Sequence, residues 1–315
     1  MKKSIWRKLF ASFIRLVFPA ILLVVIALVA ASLWLVHRAA EPQRTAYLVT
    51  PESLSSFTRN KVKISEETWQ NKDATAARGW LLRGGENAPA VILLHRYGAD
   101  RSWLLNLGVN LNEATGFTVL IPDQRGHGEN PGVKWSGFGG VEGEDLVAAV
   151  QFLRNQKTSD RIGVYGVEMG ALAAVFGAGE EQAIRALALD SVPASSEDIL
   201  GNIVKARSSV AGEFAYQIAC RGTMLYYRKA FRHDSMCYAA QALENRKVLL
   251  LAGKDAPDLQ ESTVRLGGCL SKQANAQLKT DLPISGFNLI NSATSRQQED
   301  YDQIVINFFR SSLTN

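Results

Sequence analysis

Gly166-Val167-Glu168-Met169-Gly170 is the stretch on which the reading of this chain turns. The apolar run ending at Tyr165 leads into it and the small-residue run Ala171 to Ala174 leaves it, the pattern of strand, sharp turn and helix. Glycines on both sides of the central residue let the backbone bend tightly, so the side chain of Glu168 is expected to stand at the carboxyl end of a strand. What Glu168 can do there depends on the rest of the chain.

Upstream, Lys61 to Trp69 and Ala76 to Leu82 predict two opening strands in a hairpin, and Ala90 to Leu94 is apolar throughout, as a strand buried on both faces should be. A helix is expected around Ser102 to Asn112, with Leu104, Leu107 and Leu111 on one face, then a strand at Phe117 to Ile121. Leu146, Ala149, Val150 and Leu153 mark an amphipathic helix before the strand Arg161 to Tyr165. Downstream, Ala186 to Leu189 and Lys247 to Leu251 read as strands and Phe287 to Ile290 as a weaker one. A last helix carries Tyr301, Ile304, Val305, Phe308 and Phe309 at helical spacing, behind a capping box over Ser295 to Gln298. Strands alternating with helices place the chain in the α/β class, with a mostly parallel sheet covered by helices on both faces.

The amino end is different. Val17 to Val36 is a charge-free run of twenty residues, long enough at about 1.5 Å per residue to cross a bilayer as a helix. It reads as an anchor; a cleavable signal, with its shorter apolar core, is the other reading, and Ala39-Ala40 would suit a peptidase. Residues 1–44 hold seven Lys/Arg and one Asp/Glu, so the remaining 28 and 29 of the 35 and 30 balance to −1. The basic excess lies beside the membrane and, with Lys2, Lys3, Arg7, Lys8 and Arg15 ahead of the span, predicts a cytoplasmic amino terminus. The sequence pI near 9.1 is thus a topology signal, and nucleic acid is not an expected partner. The expected organisation is a basic segment 1–16, a span 17–36, a linker 37–60 with Pro42 and Pro51, and one globular domain 61–315.

Four motifs in order resemble the α/β-hydrolase superfamily, of the membrane-anchored serine-hydrolase type. They are Leu94-His95-Arg96-Tyr97-Gly98, Pro122-Asp123-Gln124-Arg125-Gly126-His127-Gly128, the Gly166 to Gly170 elbow, and Gly253-Lys254-Asp255. The resemblance covers nearly everything after residue 60 and implies that fold, a helical cap at about 191–246, Glu168 at the nucleophile position and Asp255 at the acid position. It also implies an oxyanion loop of His95, Arg96 and Tyr97, with Met169 after the elbow residue. The chain departs from the family twice. Glutamate replaces the elbow serine, and none of the four histidines, His37, His95, His127 and His233, follows Asp255 where the family's base stands. Between Ile284 and Arg296 the polar candidates are Ser285, Asn288, Asn291, Ser292 and Ser295, and none takes a proton near neutral pH. The resemblance puts the missing base at about Asn291 or Ser292.

These departures predict a pseudo-hydrolase that binds a small acyl-like ligand, lipid or a protein partner, with no cofactor. The alternative is a divergent ester or amide hydrolase acting through Glu168. As a nucleophile Glu168 would form an ester that no histidine helps to hydrolyse. As a structural residue it would sit at a helix amino end and fill its own oxyanion hole, with Arg96 in reach of its carboxylate. Asp255 then reads as a turn residue satisfying backbone amides, His95 and His127 as braces of the site's floor, and His233 as a cap residue able to swing toward Glu168. A metal held by Glu168, Asp255 and His95 has the right residue types without a supporting spacing. Cys220, Cys237 and Cys269 show no metal-ligand spacing; Cys220 pairs with Cys237 on an oxidising side, or all three are buried thiols. Were Arg221 to His233 helical, Met224, Tyr227 and Phe231 would share a face edged by Arg221, Arg228 and Arg232, suited to lipid or to packing on the domain.

Overall fold

The computed structural model describes residues 2–42, 46–51, 62–130, 132–156, 160–207, 212–227, 231–270 and 275–314. Its longer helices are α1 (Lys2–Ala40), α2 (Leu105–Thr115), α3 (Gly140–Asn155), α4 (Met169–Glu180), α5 (Ser196–Arg207), α6 (Gly212–Tyr226), α7 (Pro257–Cys269) and α8 (Ser295–Leu313). The strands are β1 (Ile64–Gln70), β2 (Ala76–Leu82), β3 (Ala90–Leu94), β4 (Thr118–Asp123), β5 (Ile162–Val167), β6 (Ile184–Asp190), β7 (Lys247–Gly253) and β8 (Asn275–Leu282). Contacts divide the chain into two compact units, Met1–Ala39 with Leu200–Lys229, and Ala40–Ile199 with Ala230–Asn315.

The second unit holds one eight-stranded sheet in the order β1-β2-β4-β3-β5-β6-β7-β8. β2 runs antiparallel to β1 and β4, and every later pairing is parallel. Strands β3, β4 and β5 are buried along their whole length, which explains why their sequences are mainly apolar. This is the α/β-hydrolase fold. Its parallel strands all deliver their carboxyl ends to one edge, where Leu94, Asp123, Val167 and Gly253 hand the chain to loops.

The first unit contains α1, which from Ser12 to Ala40 is long and apolar enough to cross a membrane, a test that signal sequences also pass. α6 turns buried small residues, Ala215, Ala219, Gly222 and Thr223, to one side.

Five local expectations change. The segment 287–290 is no strand: Leu289–Ser292 is a helical turn, and the eighth strand is β8, whose edge position leaves it polar, mostly exposed and without a strand signal. The capping box of α8 is Thr294 with Gln297, where Thr294 is extended and the two residues exchange bonds. The helix α6 stops at Tyr226, so Arg221 to His233 is not one helix; Tyr227 and Phe231 are buried while Met224 is exposed, and Arg228 lies outside the described residues. The expected linker 37–60 begins inside α1, and its Tyr47 is docked on the sheet unit, edge-on to Trp80 with its hydroxyl 2.6 Å from Asp123. Apolar area on one side of the ring and a buried carboxylate at its tip hold it there; residues 43–45 and 52–61 are outside the described set. Finally, Cys237 is bonded to Cys269 across 32 positions, and Cys220 stands outside the bridge. Nearness in sequence is no guide to this pairing: Cys269 ends α7, and the fold brings that end to the helical turn Met236–Ala239.

Candidate functional site

Glu168 stands between β5 and α4 with φ +49° and ψ −106°, a conformation costing a side-chain-bearing residue about 1–3 kcal/mol. The flanking glycines make it possible. A Cβ on Gly166 would lie 2.3 Å from the Gly170 carbonyl oxygen, and one on Gly170 2.3 Å from that of Leu94. The bend therefore packs against the end of β3, which brings the loop after β3 to the elbow.

One carboxylate oxygen, Oε2 of Glu168, accepts the Tyr97 amide at 2.8 Å and the Met169 amide at 3.1 Å. These are the two backbone donors that in a G-x-S-x-G elbow face the developing oxyanion, one following the elbow residue and one from the loop after β3. The glutamate occupies both amides. Burial raises its carboxyl above the ordinary range, while the Tyr97 and Met169 amides and the charge of Arg96 pull it down. The expected direct pair with Arg96 does not form. The guanidinium lies instead 4.8 Å from the Trp103 ring centre and 4.7 Å from that of Phe287, a cation between two π faces. Its Nε is buried without a hydrogen-bond partner.

The two loop histidines are engaged as braces. Nε2 of His95 accepts the Gln124 amide at 3.1 Å and Nδ1 faces the Arg96 carbonyl at 2.8 Å. His127 repeats this with the Gly98 amide at 3.0 Å and the Arg125 carbonyl at 3.0 Å. Each ring thus carries its proton on Nδ1 and spends its lone pair on a backbone amide. Burial lowers both, His127 to about 3, so neither is a base for the elbow. The motif around Asp123 is also structural: its carboxylate, almost fully buried, accepts the amides of Arg101 and Glu129, both at 3.0 Å. His233 does not swing in; its Nδ1 sits 2.5 Å from Glu197.

Asp255 accepts the Ser285 amide and hydroxyl, both at 2.8 Å, and the Asn288 side-chain amide at 2.9 Å. Asn288 thus makes the bond a triad histidine would make to the acid. Asn291 and Ser292, the positions expected for the missing base, belong to the helical turn after it and are exposed. Glu168, Tyr97 and Met169 are brought together; Asp255 is held by its own loop and His95 faces away. No sequence signal announces the pair of rings around Arg96, nor the buried chain Tyr165, Tyr301, Asp190. There the Tyr165 and Tyr301 hydroxyls are 2.9 Å apart and Tyr301 donates to Asp190 at 2.7 Å. Burial raises Asp190 to about 6 against the hydroxyls of Ser191 and Tyr301.

Beside Arg96 opens a narrow cleft of about 30 Å³, lined by Trp103, Leu104, Tyr165, Leu289 and Asp302 among others. Asp302 is nearly fully buried, its Oδ2 takes Asn110 at 2.8 Å, and its Oδ1 has no partner. Burial raises its carboxyl to about 6. Among the described residues no group of three or more His, Cys, Asp or Glu is placed to hold a metal, so Glu168, Asp255 and His95 do not form the metal set that their residue types would suit.

The chain is 29% identical over 124 residues to the thiohydrolase aneE of Aspergillus aculeatus and 34% identical over 126 residues to the uncharacterized protein YqkD of Bacillus subtilis. These alignments cover 38% and 36% of this chain, and it spans about two fifths of the relatives' own length. Among solved structures, an esterase of Pyrococcus furiosus superposes with a TM-score of 0.63 at 22% identity, over 87% of this chain and 98% of that one. An esterase of Exiguobacterium antarcticum gives 0.57 at 15%, over 77% and 98%. Those likenesses establish the fold. The serine aminopeptidase family, S33, matches residues 85–244, half of the chain and the stretch that contains the elbow, and to that family of α/β-hydrolases the chain belongs.

Proposed function

We propose that this is a membrane-anchored pseudo-hydrolase that uses the α/β-hydrolase fold to bind a small acyl-like ligand. The observation that carries the reading is the pair of hydrogen bonds that the Tyr97 and Met169 amides donate to Glu168 Oε2. A hole occupied by a carboxylate cannot stabilise a second negative charge, and repulsion would add to the loss of donors. The cleft beside Arg96 is where the ligand would enter: its apolar walls, a guanidinium and an Asp302 oxygen in want of a donor suit an acyl group, and its room of about 30 Å³ requires it to widen on binding. The bilayer is the partner of α1. The basic residues before the span favour a cytoplasmic amino terminus, and the Cys237–Cys269 bond suits a domain on the periplasmic or extracellular side. A protein partner is the remaining class of ligand; nucleic acid is not an expected one, because the chain after residue 44 balances to −1.

Membership in a family of hydrolases favours a second reading, a divergent ester or amide hydrolase acting through Glu168. A panel of esters, amides and epoxides offered to the full chain in detergent, with Glu168→Ala as control, separates the two. The pseudo-hydrolase reading expects no turnover that Glu168→Ala abolishes, and stabilisation of the chain by medium-chain carboxylates or esters in native mass spectrometry or thermal melts. Turnover lost in Glu168→Ala would establish the enzyme instead.

A further inference from the structure

We propose that α6 lies in the surface of the same bilayer that α1 crosses, so that the chain enters the membrane twice, once through and once along it. The proposal rests on the anchor reading of α1 given above.

The helix has two unlike sides. Ala215, Ala219, Gly222 and Thr223 are buried, whereas Phe214, Met224 and Leu225 are 65%, 67% and 58% exposed. Phe214, Gln217, Arg221 and Leu225 fall at i, i+3, i+7 and i+11, a single exposed stripe of a helix, with Glu213 at its head paired to Lys205 at 2.7 Å. Outside α1, seven large apolar side chains stand exposed among the described residues, and three of the seven are on this one helix. A helix facing water would not gather them.

The buried side is seated on α1, near the end of the span. A Cβ on Gly222 would lie 2.8 Å from the carbonyl oxygen of Ser32, the close backbone approach that small residues permit between helices in lipid. Tyr226 reaches Nδ1 of His37 at 2.9 Å, and Arg207 of α5 donates to the carbonyl of Arg38 at the end of α1. The charge-free run ends at Val36, so Ser32 lies about 6 Å inside the outer end of the span at about 1.5 Å per residue. A helix lying in a membrane interface sits about 5–10 Å into the boundary of headgroups and acyl chains. Fixed to Ser32 on one side, α6 has Phe214, Met224 and Leu225 left for the acyl chains. Arg221 on the same stripe keeps its stem in the boundary and its guanidinium among headgroup phosphates. The occupant of this face is therefore lipid.

The test uses the full chain in vesicles of phosphatidylcholine with a minor fraction of phosphatidylglycerol, some molecules carrying a photoreactive group on the acyl chain. After illumination, crosslinks are expected on peptides of α1 and on peptides covering 212–226, with none on α3. In a Cys220→Ala background, an environment-sensitive label at Leu225→Cys is expected to be quenched several-fold more by spin-labelled acyl chains than by aqueous iodide. A label at Asp160→Cys, an exposed position, is expected to show the reverse. Crosslinks confined to α1, with an iodide-quenched label at residue 225, would overturn the proposal and leave the anchor intact. Absence of crosslinks from α1 as well would overturn both.

Discussion

Replacing Glu168 by serine removes the carboxylate that holds the Tyr97 amide at 2.8 Å and the Met169 amide at 3.1 Å, and leaves both donors facing the new hydroxyl's surroundings. Each oxyanion donor contributes about 10²–10³ to the rate in an acyl-transfer enzyme. The hydroxyl itself stays inert unless a base takes its proton, and the structure closes the obvious sources. The Nε2 lone pairs of His95 and His127 already accept the Gln124 and Gly98 amides, and His233 is bonded to Glu197. Glu168→Ser is therefore expected to hydrolyse a simple nitrophenyl ester no faster than about 10³–10⁴ over water, the residue of catalysis that survives loss of a triad. The site for a base is the position that already bonds Asp255. Asn288→His added to Glu168→Ser places an imidazole there, and a general base contributes about 10²–10⁴, or roughly 3–5 kcal/mol off the barrier. The double variant should exceed the single one by about 10²-fold, and Asp255→Asn should take most of that gain away. Initial rates against substrate-only blanks measure all three. Glu168→Ser turning over alone at about 10 s⁻¹, the middle of the enzyme range, with the activity lost on changing His95 or His233, would refute the reasoning.

Cys269→Ser opens a loop spanning 32 positions; chain-entropy arguments put the loss at about 3–4 kcal/mol, read as a lower denaturant midpoint, and non-reducing peptide mapping should find Cys237 joined to Cys269. Asp302→Asn tests the buried carboxyl raised from 3.8 to about 6. Because the fold favours its protonated form, the charge costs nothing below pH 3.8 in either state, costs progressively more up to about pH 6 and a constant amount above. The variant should thus gain up to about 3 kcal/mol at neutral pH and almost nothing near pH 4, and equal gains at both would refute the assignment. In sealed right-side-out vesicles the sheet domain should be digested by added protease; protection would reverse the orientation inferred from the basic amino end.

Much of the fold is legible in the sequence because the signals are local. Strands β3, β4 and β5 are buried on both faces, so their sequences are mainly apolar, and the glycines at 166 and 170 mark a bend where backbone meets backbone. The absence of a histidine after Asp255 is a matter of counting. Polar edge elements are not legible: β8 is held by pairing with β7, and pairing leaves no hydrophobic period in an exposed strand. Partner choice is also hidden, since it is settled by distances between residues far apart in the chain. The bond between Cys237 and Cys269, the placing of Arg96 over Trp103 and Phe287 in place of a pair with Glu168, and the bond from Asn288 to Asp255 all depend on how loops from different strands converge. Sequence alone determined that a glutamate stands at the elbow; only the tertiary structure decided that its oxygen takes the Tyr97 and Met169 amides, because the first of them arrives from 71 positions away.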